Sequence, residues 1–235
     1  MHEQISSLLR FFPHIDATET HRFVAERLPN ISLPGGAEGW FAIPRWQKFA
    51  ENYAVAAEVV HAKWRKTPFW QEFWVSSFCE KGMECITSGT RLPGAGSIKP
   101  DRIRQHSAST HMLAEIEKVQ SGEILLIPAQ HGLRHLGRSV IEARHSFAPN
   151  EFGLGVFAGL CMALTHPERY SQTLGAFFPG DESEGRYEWS KYKPGDFGFV
   201  PKVSEWNEKI AFVMSESSIG CSGNVGSVTG FVPNV

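Results

Sequence analysis

The chain has 235 residues, 42% hydrophobic and 20% charged, with a formal net charge of −2 and a pI near 6.6. That balance excludes a disordered polyampholyte, a collagen and a coiled coil, and a chain this long buries enough apolar surface to need no disulfide staples. It also counts against a general nucleic-acid scaffold, which carries a dense basic stripe.

Met1 to Arg10 contains no continuous apolar core region and no small-residue cleavage site, so no secretory leader is expected. Asp16 and Glu19 have capping-box spacing ahead of Phe23, Val24 and Leu28, which predicts a short helix ending before Pro29. Leu33-Pro34-Gly35-Gly36 reads as a turn. Phe49, Tyr53, Ala56, Val60 and Trp64 form one stripe, which predicts a helix over Gln47 to Lys66, stopping before Pro68. Trp40, Phe41, Trp46, Trp64, Phe69, Trp70, Phe73 and Trp74 crowd this first third. They read first as core around that helix, and otherwise as a stacking platform or contact patch.

Ser88 to Pro100 is the best loop or linker candidate, rich in Gly, Pro and Ser. Thr110 to Val119 reads as a helix, Gly122 as a turn, and Glu123 to Ile127 as a buried strand. A further helix is expected from about Leu133 to Ser146. Phe152 to Leu164 is the longest apolar run, interrupted by glycine and too short to span a bilayer. Beyond it, Phe197 to Val200 and Ile210 to Met214 read as strands, and Gly220 to Val235 as strand and turn. The order predicts an α+β fold: a helical, aromatic-rich N-terminal region packed with a strand–helix–strand C-terminal region forming a mixed or antiparallel sheet. Residues 1–235 are expected to make one compact unit. The alternative is a helical segment over residues 1–87, a loop or linker over 88–100 and an α+β segment over 101–235.

Charge is uneven. Residues 1–100 hold 11 basic and 10 acidic side chains, whereas residues 146–235 hold 6 and 10. Between them, Arg134, Arg138 and Arg144 with His131, His135 and His145 make the one locally basic patch. Gln130, His131, Arg134, His135 and Arg138 follow a buried strand, where α/β architectures bind ligands and free N–H groups favour anions. On the expected helix, His135, Arg138, Glu142 and His145 share the face opposite Leu136, Val140, Ala143 and Phe147. The plainer reading is a solvated helix face. Histidine in place of lysine points instead to proton exchange, with Arg134 and Arg138 as anion clamps.

His131 and His135 have the i, i+4 spacing of metal ligands, with His145, His166, Asp181 or Glu182 as conceivable partners. Arg134 between them opposes a cation, so no metal is expected. Gly153-x-Gly155-x-x-x-Gly159 lacks the preceding strand of a dinucleotide fold and reads as close backbone packing. Asp181-Glu182-Ser183-Glu184 is either a solvated loop or the acidic wall of a cleft facing Arg138. Cys79, Cys85, Cys161 and Cys221 form no CxxC pair. A reducing setting suits them, with Cys161 as a small core residue and Cys221 an ordinary thiol.

Leu33 to Trp46, Pro128 to Ser139, Glu151 to Gly155, Thr165 to Arg169 and Gly180-Asp181-Glu182 resemble a family of uncharacterised bacterial proteins, over about a third of the chain. The resemblance implies a bacterial cytoplasmic protein and carries no activity. In that family's pattern an aromatic residue can stand in place of His131, which counts further against a two-histidine metal site.

The expectation is therefore a site that binds a small phosphate- or carboxylate-bearing ligand and carries out hydrolysis or transfer on it. His135 and His145 would be the acid–base residues. Gln130, His131, Arg134, Arg138, Asp181 and Glu182 would bind the ligand. No cofactor is called for, and an oligomer is conceivable. The alternative is a non-catalytic interaction or structural protein, such as an assembly subunit.

Overall fold

The computed structural model describes residues 1–67, 103–172, 175–184, 197–206, 209–218 and 224–233. In chain order its helices are α1 (His2–Phe11), α2 (Thr18–Glu26), α3 (Tyr53–Trp64), α4 (Ser107–Val119), α5 (Val140–His145) and α6 (Val156–Thr165). Its strands are β1 (Gly39–Pro44), β2 (Ile103–Gln105), β3 (Ile124–Gln130), β4 (Glu151–Gly153), β5 (Gly175–Phe177), β6 (Asp181–Ser183), β7 (Phe199–Trp206), β8 (Lys209–Glu216), β9 (Val225–Ser227) and β10 (Thr229–Phe231). The fold is α+β, as expected.

One sheet runs β1-β3-β10-β4 and is antiparallel throughout. The other runs β2-β6-β7-β5-β9, with β8 paired to β7. It is mixed, because β5 and β9 pair in parallel. Every residue of β3 is buried, as its unbroken apolar run requires. At Pro128 the strand is paired with β1 alone, because β10 reaches only Gln130 and Ala129. A missing N–H is tolerated where a strand lacks a second neighbour.

Helix α6 is apolar all round and buried from Val156 to Leu164. It anchors a cluster that also takes side chains from α1, α3, β1, β3 and Val228. Cys161 sits in that core as a reduced thiol, and burial raises its pKa well above the ordinary value. Phe41 and Trp64 are buried, and Trp40 and Trp46 pack against the same cluster, so these aromatics are core. Phe69, Trp70, Phe73, Trp74, Pro68, the stretch 88–100, Cys79, Cys85 and Cys221 lie outside the described residues.

Several expected elements differ from those observed. Helices α1 and α6 and strand β1 were not anticipated. Helix α2 begins at Thr18, because Asp16 accepts from the Thr18 amide and hydroxyl one turn early, while Glu19 pairs with Arg22 instead of closing a capping box. Helix α3 begins at Tyr53, where the Asn52 side chain accepts from the Val55 amide. The helix expected from Leu133 to Ser146 is two pieces. A 3-10 turn spans Leu133–His135, Gly137 takes φ 73°, and α5 starts afresh. Ser139 and Glu142 cap that start reciprocally. His135, Arg138 and His145 therefore do not share one helical face. Asp181–Ser183 is a strand rather than a solvated loop, with Asp181 fully buried.

Glycines bring the two sheets together. The backbones of Gly153 and Gly180 touch, and a Cβ on either would clash with the other's segment. Gly226 lies against Gly132, whose φ is 105°, and a Cβ on Gly226 would overlap the Gly132 carbonyl oxygen. Gly226→Ala is expected to lower stability by about 1–3 kcal/mol, read by urea unfolding. A value within error of wild type would contradict this packing.

Candidate functional site

The site forms where β3 ends and the chain turns through Gly132. Gln130 is buried and fully engaged. Its Oε1 accepts from the amides of Gly132 (2.6 Å) and Arg134 (3.3 Å), and its Nε2 donates to Ser227 O and Thr229 Oγ1. It is a clamp between β3 and the β9–β10 crossing, not a ligand-facing amide.

Glu151, at the start of β4, lies beneath this turn with no exposed side-chain surface. It accepts from His135 Nε2 (2.7 Å), Thr229 Oγ1 (2.8 Å), the Ala148 amide (3.1 Å) and Arg134 Nε (3.2 Å). Burial alone would raise its pKa. The hydrogen bonds from His135, Ala148 and Thr229 overcome that and lower it from 4.5 to about 2. An ionised carboxylate only accepts, so Nε2 of His135 carries the proton in this pair. The other ring nitrogen, Nδ1, lies 3.4 Å from the Ser146 hydroxyl, and Phe147 packs against the ring. His135 is 2% exposed, whereas Ser146 is exposed at the end of α5.

A second acid–histidine pair adjoins the first. The His131 amide donates to Glu38 Oε1, and its Nδ1 lies 3.6 Å from Oε2, which Arg169 also approaches at 3.5 Å. Burial opposes the charge on Glu38, but His131 and Arg169 hold its carboxyl below the ordinary value. Phe41 stands edge-on to both His131 and His166. Arg134 is 40% exposed and packs over Gly36, in the turn before β1.

The remaining expected residues sit elsewhere. Arg138 is exposed, with Glu142 as its charged neighbour, and His145 is exposed at the end of α5. Asp181 faces Tyr53 and the start of α6: Tyr53 donates to Oδ1 (2.7 Å) and the Val156 amide to Oδ2 (2.6 Å). Burial pushes its pKa up to about 7 against those two bonds. The carboxylate thus fills the helix end that a dinucleotide phosphate would need, although β4 supplies the short strand the sequence had not suggested. Glu182 pairs with Arg104 on β2. Of the basic patch, Arg144 reaches this region, donating to the Pro179 and Asp181 carbonyls.

Sequence reading missed Glu151, Glu38, Ser146, Thr229 and Arg169. Glu151 carried a usable signal: a lone carboxylate heading an apolar run needs buried partners. Among the described residues no group of three or more His, Cys, Asp or Glu is arranged to hold a metal, and no helix is long and apolar enough to cross a membrane. His131 and His135 turn to separate carboxylates because the left-handed Gly132 breaks the helical spacing between them. No family model, curated protein or solved structure matches the chain.

Proposed function

We propose that the protein binds a small phosphate- or carboxylate-bearing ligand beside the end of β3 and carries out hydrolysis or group transfer on it, in a bacterial cytoplasm. The observation that carries this reading is His135, held between a buried ionised carboxylate and an exposed hydroxyl. Glu151 fixes the ring through Nε2 and leaves Nδ1 to exchange a proton. Arg134, which shares Glu151 with His135, supplies positive charge beside it, and exposed Arg138, farther along the chain, is taken as the second anion clamp. Asp181 and Glu182, engaged elsewhere, have no role in this reading, and His145 is not brought beside Glu151.

The test is thermal unfolding against phosphate and carboxylate compounds. A ligand at 100 times its Kd adds about 2.7 kcal/mol of stability. A shift with one compound, lost in Arg138→Ala while that variant melts like wild type alone, is the expected result. An equal shift in Arg138→Ala would remove Arg138 from the site.

A second reading, a non-catalytic assembly subunit, has one observation in its favour. Leu133 (43%), Leu136 (38%) and Ile141 (39%) are three of the four large exposed hydrophobics among the described residues, and all fall within nine positions. A defined oligomer by light scattering, broken by Ile141→Asp, with no response to any ligand, would favour it.

A further inference from the structure

We propose that Ser146 is the nucleophile of a Ser146–His135–Glu151 relay that cleaves carboxylic esters of small anionic molecules. This rests on the reading of His135 as the acid–base residue and goes on to name the attacking atom and the substrate class.

Three features fit that role. The Glu151 carboxylate is buried and satisfied by four donors, so it stays ionised and fixes the ring. With Nε2 protonated toward Glu151, the lone pair on Nδ1 faces Ser146. Ser146 is the exposed member, as a nucleophile must be, while the histidine and the carboxylate are both buried. Its hydroxyl has one proton and two acceptors in reach, the Ala143 carbonyl at 2.9 Å and Nδ1 at 3.4 Å. Rotation about the side chain moves the proton from the first to the second, and such bonds are commonly long before substrate binds. The relay is recognised by geometry and role, not by chain order. Here the two ring nitrogens exchange places relative to serine proteases, with Nδ1 serving the hydroxyl.

The chemistry balances with water alone. Ser146 Oγ attacks the ester carbonyl carbon as its proton passes to Nδ1. The bond to the alcohol oxygen breaks, and the alcohol leaves with that proton. Water then attacks the acyl-serine carbon, giving its proton to Nδ1. The acid departs, and the proton returns to Ser146 Oγ.

The experiment treats the full-length protein with a fluorophosphonate, which phosphonylates activated serines, and maps the adduct by mass spectrometry. Ser146 is expected to react at least about 100-fold faster than other exposed serines. The adduct should vanish in Ser146→Ala and slow by a similar factor in His135→Gln. A cleaved p-nitrophenyl ester with a Ser146 acyl adduct would support the same relay. An unmodified Ser146 in folded protein overturns the proposal, as does a labelling rate unchanged in His135→Gln. If His135→Gln fails to fold, Thr229→Val replaces it, since Thr229 binds Glu151 without touching Ser146. A thermal shift that needs Arg138, with Ser146 inert, would overturn the nucleophile while leaving the ligand-binding reading intact. Labelling of Ser146 with no shift from any anion would do the reverse.

Discussion

Between pH 4 and pH 7 the wild-type protein is expected to lose about 3 kcal/mol of unfolding free energy through Asp181 alone, and Asp181→Asn should abolish that loss. The carboxyl has its pKa raised from 3.8 to about 7 by burial, against the bonds from Tyr53 and Val156. A folded-state pKa above the unfolded one means that the folded state binds the proton more tightly. The stabilisation is therefore complete below pH 4 and fades as pH rises through 7. Urea unfolding at half-unit steps measures it. The same slope in Asp181→Asn would show that another group is responsible. Tyr53→Phe should extend the loss to higher pH, because it removes a donor that favours the charged form and so raises the folded-state pKa further.

Replacing Glu151 should have a comparable effect of a different kind. Glu151→Ala leaves His135, Thr229 and Arg134 without their shared acceptor and is expected to cost about 3–5 kcal/mol. Its pH dependence has the opposite sign to that of Asp181. Because the folded pKa is lowered to about 2, the stabilisation is present above 4.5 and lost as pH falls toward 2. Wild-type stability should thus peak near pH 4–5, between the two limbs. Glu151→Gln should flatten the acid limb and leave the Asp181 limb in place. A Glu151→Ala variant within 1 kcal/mol of wild type would mean that the network is not holding the turn after β3.

These two acids also show how far local pattern reached. Asp181 stood out because it lies in an acidic run, which suggested solvent. It is fully buried because Gly153 and Gly180 let β4 and β6 approach closely enough to place it under α6. Glu151 heads an apolar run, which signals that it needs buried partners but not which ones. Its partners come from positions 134, 135, 148 and 229, and sequence spacing cannot join such distances. The basic segment was legible in composition but not in shape. Gly137 and the Ser139-x-x-Glu142 pair marked the break in the helix, and the apolar periodicity across them outweighed that signal.

The sequence by itself determined the elements whose burial is complete or whose ends are punctuated. β3 follows from its unbroken apolar run and the strand pair β7–β8 from short apolar segments between breakers, whereas the glycine-interrupted run from Phe152 to Leu164 did not by itself mark the helix α6. The burial of β3 does not depend on which neighbour provides it, because any apolar surface must leave water. Tertiary structure decided what the polar residues meet. The crossing of the chain between sheets at Val228, whose amide bonds Phe177 and whose carbonyl accepts from Leu154, sets Ser227 and Thr229 beside Gln130 and Glu151. Hydrogen bonds are directional and short, so they are fixed only when the backbones that carry them have been placed.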